Sequence, residues 1–159
     1  IENYTKLTKD VDIEEFYKNG KHSSKKAYKD GKPTGTWVNY YENGKKKRET
    51  PYDGSRRHGT IRHYSETGKL SKTEPYVKGT KTGRQKTYYP NGKVATESAY
   101  KYGKLNGTHF GYYENKKMKE QGSYRNDVKD GKWLYYDQNG TEVKSETFNR
   151  GRLMSSSEN

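Results

Sequence analysis

The chain has no cysteine, which excludes disulfides, thiolate metal sites and cysteine nucleophiles. Aliphatic residues are scarce: only 26% of the 159 residues are hydrophobic, while 33% are charged. No run approaches the ~18 apolar residues of a membrane-spanning helix. The four histidines, His22, His58, His63 and His109, have no carboxylate or cysteine at metal-ligand spacing. Solvent-facing turn and strand positions account for them. No serine sits on a recognisable nucleophile turn. The expectation from these absences is a protein that is not an enzyme, with no metal and no cofactor.

By composition alone such a chain leans towards disorder. Seventeen tyrosines oppose that, because each ring buries a large area while fixing few torsions. Their spacing is regular. Gly35, Gly59, Gly83, Gly107 and Gly131 follow one another at 24 residues. Five residues after each stands a tyrosine: Tyr40, Tyr64, Tyr88, Tyr112 and Tyr136. Seventeen residues after each stands an aromatic: Tyr52, Tyr76, Tyr100, Tyr124 and Phe148. A decayed copy precedes the set, with Phe16, Gly20 and Tyr28 in register. So strict a period means an array.

Each unit reads as two short strands and two turns. Thr36 to Tyr41 and Lys46 to Tyr52 are strand-like runs joined by Asn43-Gly44, a sequence that favours a two-residue type I′ hairpin turn. Asp53-Gly54 begins the second turn. The expected fold is all-β: an elongated single-layer antiparallel meander of β-hairpins with a 24-residue repeat, forming a twisted or curved ribbon. Each unit would add about 10 Å, for about 55 Å in all, and a twisted sheet would offer one concave face. Side chains alternate, so Val38 and Tyr40 share one face while Trp37, Asn39 and Tyr41 share the other. The constant tyrosine, supported by the aromatic at the seventeenth position, is the expected core column. The opening glycine calls for positive φ or close approach of the next hairpin. Asn115-Lys116 replaces Asn-Gly, so the fourth hairpin is expected to be the weakest.

Three regions follow. Residues 1–15 form an N-terminal cap, with a short strand around Val11 and Ile13; residues 16–153 form the array. Residues 154–159 are read as a disordered tail or the remnant of an expression tag. The chain begins at Ile1 and not Met, which leaves room for a removed leader and favours an exported or surface-associated bacterial protein over a cytoplasmic one.

Gly35-Thr36-Trp37, Tyr40-Tyr41, Asn43-Gly44-Lys45 and Tyr52 together make a pattern that resembles the MORN repeat. Gly131-Lys132-Trp133, Tyr135-Tyr136 and Asn139-Gly140 restate it, while the middle units carry Ile61, Gln85 and His109 where Trp would stand. The resemblance is closest to the bacterial second-type variant found in proteins named YwqK-family antitoxins. It implies rows of β-hairpins in one sheet and a scaffolding, protein-binding or membrane-proximal role, without ligand residues to carry over.

On function, the net charge of +13 favours acidic partners, although lysines spread over every repeat also serve to guard sheet edges. Aromatics dominate binding hot spots, so Trp37, Tyr41, Trp133 and Tyr135 are the candidates for contact with a protein partner that has an acidic docking face. Lys45, Lys46, Lys47, Arg48, Arg56 and Arg57 are the densest basic region, a candidate for anionic lipid, glycan or nucleic acid. Self-association through open sheet ends is a further expectation.

Overall fold

A computed structural model describes residues 10–159; the first nine residues of the expected cap lie outside the described residues. The strands are β1 (Val11–Phe16), β2 (His22–Lys29), β3 (Lys32–Tyr40), β4 (Lys46–Asp53), β5 (Arg56–Arg57), β6 (Gly59–Tyr64), β7 (Leu70–Val77), β8 (Thr80–Lys81), β9 (Gly83–Tyr88), β10 (Val94–Lys101), β11 (Lys104–Tyr112), β12 (Met118–Arg125), β13 (Val128–Tyr136), β14 (Glu142–Asn149) and β15 (Arg152–Glu158). Among the described residues there is no helix.

All strands join one open antiparallel sheet in chain order, with β1 and β15 at its edges. The short β5 and β8 flank this path, pairing with β4 and β7. They are the front pieces of strands that run unbroken in the later units as β11 and β13. Opposite the breaks lie Pro51 and Pro75, which have no N–H for the ladder. Their carbonyls accept instead from His58 N (3.1 Å) and Thr82 N (3.0 Å).

The two edges of the ribbon use different turns. At the Asn-Gly edge, Gly44 N donates to Tyr41 O and Tyr41 N to Lys45 O, enclosing a three-residue loop with one positive φ, 88° at Gly44. This is a turn followed by a left-handed residue, not the expected two-residue type I′ turn. Asn43 Oδ1 accepts from Lys45 N at 2.9 Å and holds the loop. The type I′ signature, two consecutive positive φ values, lies at the other edge, as at Gly54 and Ser55 (54° and 74°). The fourth hairpin keeps the common geometry, with Lys116 carrying the left-handed φ of 71°.

Opening glycines meet both expectations. Gly83 and Gly107 have φ of 119° and 116°, and a Cβ on either would stand 3.0 Å from Pro75 or Ala99.

Residues paired directly across an antiparallel ladder share a face. Trp37 pairs with Thr50, Ile61 with Glu74, and Trp133 with Glu146. Val38 pairs with Glu49 on the opposite face, together with Tyr40. The buried Ser24, Thr50, Ile61, Ser98, His109 and Trp133 all fall on the Trp37 side. The core column is therefore the residue two after each opening glycine, packed with the aromatics at the seventeenth position. The constant tyrosines lie half-buried on the other face, contrary to expectation. The physical reason is room: the packed face sets a large ring against a small neighbour, as Trp133 over Gly122.

A second correction concerns the tail. Residues 152–158 are β15, paired Ser155↔Thr147, Ser156↔Glu146, Ser157↔Ser145 and Glu158↔Lys144. Polar serines need no core to extend a ladder whose neighbour presents free amides and carbonyls.

Candidate functional site

On the packed face, Trp37 lies between Tyr28 (5.1 Å between centroids) and Tyr52 (4.7 Å), and its Nε1 donates to Ala27 O at 2.9 Å. Trp133 repeats this four units on. Its Nε1 donates to Ser123 O at 3.1 Å, Tyr124 meets it edge-on at 5.0 Å, and His109 stacks at 5.5 Å. Lys129 Nζ covers the ring at 4.3 Å and donates to Tyr135 Oη at 2.9 Å. Trp133 is 1% exposed. Of the four aromatics expected to meet a partner, Trp37, Trp133 and Tyr135 thus share the packed face, Trp133 buried and Trp37 and Tyr135 half-buried.

Polar side chains replace rings in the middle of this face. Glu74 accepts from His63 Nε2 (2.6 Å) and Lys81 Nζ (2.8 Å). Burial pushes the Glu74 carboxyl up, but those bonds and the charges of Lys81 and Lys72 outweigh it and hold the pKa at about 2. Burial pushes the His63 pKa down. Further along, Ser98 Oγ meets His109 Nδ1 at 2.8 Å and His109 Nε2 meets Glu120 Oε1 at 3.1 Å. The His109 bond holds the Glu120 pKa low. This resembles a nucleophile relay only in composition. Ser98 is 7% exposed, so its hydroxyl satisfies a buried imidazole and does not face substrate. Among the described residues no group of three or more His, Cys, Asp or Glu could hold a metal, and no helix is long and apolar enough to cross a membrane.

Tyr41, the fourth aromatic candidate, is a latch. Its Oη donates to Tyr64 O at 2.7 Å, 23 residues on. Tyr17, Tyr89 and Tyr113 do the same to Tyr40, Tyr112 and Tyr136 at 2.6, 2.7 and 2.7 Å. Asn43 Nδ2 reaches Glu66 O (2.8 Å) and Lys45 Nζ reaches Thr67 O (2.9 Å). The Y-x-N-G-K pattern is thus a three-rung tie from each hairpin end to the next. The second unit has Ser65 and Thr67 instead, which bond to each other at 2.8 Å, and no tie to the third unit.

The basic region does not form one patch. Lys45 is in the latch; Lys46 is on the open face, 2.5 Å from Glu49. Lys47 and Arg48 line a depression on the packed face. Arg57 stacks on Tyr76 at the other edge, 4.3 Å from the ring.

The open face carries the constant tyrosines beside Leu70, Val94 and Met118. Tyr64 Oη donates to Glu49 at 2.7 Å, and burial first, then this bond, raises its pKa to about 12. Gln121 Nε2 donates to Tyr136 Oη at 2.8 Å. Leu70, Tyr88 and Pro90 line a depression of about 340 Å³. One repeat on, Val94, Glu97 and Tyr112 line another of about 450 Å³. The sequence expectation places these tyrosines in the core; the odd spacing of three residues between Trp37 and Tyr40 is the signal that they face away from it.

A single-layer array of β-hairpins tied edge to edge is, by class, a β-repeat scaffold. Residues 33–53, 57–78, 81–102 and 105–126 match the family described as MORN repeat variant, and the chain belongs to that family. MORN repeats are non-catalytic modules that bind proteins or membranes. No curated protein matches the chain. Among solved structures, it is similar to TarM at 11% identity and a TM-score of 0.35, over 77% of this chain and 22% of that one. It is also similar to a variant of S. aureus TarM in complex with Fondaparinux, alpha-GlcNAc-glycerol and UDP, at 10% identity and a TM-score of 0.36, over 79% of this chain and 22% of that one. The chain spans about a fifth of the length of these structures.

Proposed function

We propose that the chain is a non-enzymatic scaffold that binds a protein partner through its open face. The observation that carries this reading is the one-sided burial: among the described residues every buried one lies on the packed face, while the open face presents half-buried rings and shallow apolar depressions at a one-repeat spacing. A rigid frame with repeating pockets suits a long partner surface. The net charge of +13 favours an acidic surface on the partner. An antitoxin-like role is one form such binding could take, with a toxin as the acidic partner.

The test is a pull-down from native extract, with and without nuclease, at about 50 and about 200 mM salt, using the intact chain and two variants. Tyr88→Ser with Tyr112→Ser alters the open face, and Tyr135→Ser alters the packed face. One protein retained after nuclease and at high salt, and lost with the open-face variant while its circular dichroism is unchanged, is the expected result. Loss with the packed-face variant alone would refute the assignment of the face. Recovery of only nucleic acid or lipid, released by salt, would make the +13 charge the basis of binding.

A further inference from the structure

One depression on the packed face differs from those on the open face. It encloses about 260 Å³ and is lined by Tyr17, Ser23, Asn39, Tyr40, Lys47, Arg48 and His63. No lining residue is acidic. Asn39, Arg48 and His63 form a single register row across β3, β4 and β6: Asn39 pairs with Arg48, and Arg48 with His63. They therefore share a face and converge on one point.

The charges there are not neutralised. Among the described residues neither Lys47 nor Arg48 has a carboxylate partner; Lys47 rests over the Tyr41 ring at 5.6 Å and Arg48 makes one long bond to Asn39 Oδ1 at 3.4 Å. Of the carboxylates nearest the row, Glu15 is engaged away from the depression and Glu74 is bonded to one of its lining residues, His63. Glu15 accepts from Ser24 and Lys26, and Glu74 from His63 and Lys81. Burial is the main cause that holds the His63 pKa down; the Glu74 bond opposes it, and the charges of Lys72 and Arg48 add smaller downward pushes.

We infer that this depression is an oxyanion site for a phosphate or sulfate monoester group, with Arg48 and Lys47 as its charged donors and Asn39 and Ser23 as its neutral ones. A guanidinium offers a planar fork to two oxygens, and an ammonium adds a point charge. His63 adds a proton link. Its Nε2 faces Glu74 at 2.6 Å, and Nδ1 has no hydrogen-bond partner among the described residues. With Nε2–H donating to the carboxylate, Nδ1 is bare in the neutral ring and becomes a donor only on protonation. An oxyanion beside it therefore raises the pKa that burial depresses. The inference stands apart from the partner-binding reading, which concerns the other face.

The test follows the His63 imidazole resonances of the full chain by NMR, with inorganic phosphate as probe and sodium chloride at equal ionic strength as control. The expected result is a saturable shift with phosphate, a higher His63 titration midpoint, and roughly tenfold weaker binding in Arg48→Gln. Lys46→Gln, on the other face, should bind as the parent does. Unchanged circular dichroism in both variants verifies their fold. A chloride response equal to that of phosphate overturns the assignment, as does an Arg48→Gln chain that binds phosphate normally. Equal weakening by Lys46→Gln also overturns it, because diffuse charge would then suffice. A second arm uses phosphatidylcholine vesicles containing phosphatidic acid. Vesicle binding displaced by free phosphate supports the site with a lipid headgroup as its source; a phosphate response without vesicle binding supports it with a soluble source.

Discussion

The Trp133 indole lies flat on Gly122: a Cβ built at Gly122 would stand 2.2 Å from the ring. Large and small residues are thus matched across neighbouring strands, which is how a one-layer sheet with so few aliphatic residues buries a ring to 1% exposure. Gly122→Ala should destabilise the chain by about 2 kcal/mol through overpacking. Chemical denaturation followed by tryptophan fluorescence measures this; an unchanged midpoint would mean that the ring does not sit there.

The second hairpin end lacks the latch, and one substitution can supply its main rung. Ser65→Tyr should place a hydroxyl within reach of the Tyr88 carbonyl, as Tyr41 does for Tyr64, and stabilise by about 1 kcal/mol. Tyr113→Phe should cost about as much, by leaving Tyr136 O without its donor. Thermal melts of the two variants should move in opposite directions. A shared direction would show that the tyrosine ring, and not its hydroxyl, makes the tie.

Stability should fall as the solution is acidified, in two parts. The folded pKa of His63 is depressed, so its stabilising contribution is present above its unfolded value near 6.5 and is lost as pH falls below that. Glu74 is depressed from 4.5 to about 2, so its contribution is lost between those values. Denaturant midpoints from pH 7 to pH 2 should show both, and Glu74→Gln should flatten the lower part.

The last strand offers a direct check on order at the C-terminal edge. Amide exchange at Ser155 to Glu158 should be slowed where the ladder to β14 is formed. Free-coil exchange at all four would return this stretch to the disordered tail that its composition suggests.

The period, the hairpins and the meander are legible in the sequence because each rests on local chemistry: a glycine that must take positive φ, an Asn-Gly turn, and alternation of side chains. Which face is packed is not. Trp37 and Tyr40 are both aromatic, and only the neighbour across the ladder, Thr50 against Lys46, decides which ring is covered. The latch is visible as a motif but not as a contact, because Tyr41 and Lys45 bind main-chain carbonyls, which carry no sequence signature. The row Asn39, Arg48, His63 is hidden for another reason: its spacing follows the register of three strands, including the irregularity around Lys47, and not any simple repeat.

The ties between units join residues only 20 to 24 positions apart, and every strand on the main path pairs with its chain neighbour. For an all-β protein this is an unusually local set of contacts, and local contacts favour fast folding. Growth of the sheet can begin at any hairpin and travel outwards one unit at a time. Pulled from its ends, the ribbon should come apart in hairpin-sized steps, and the step between the second and third units, where Ser65 stands, should yield at the lowest force.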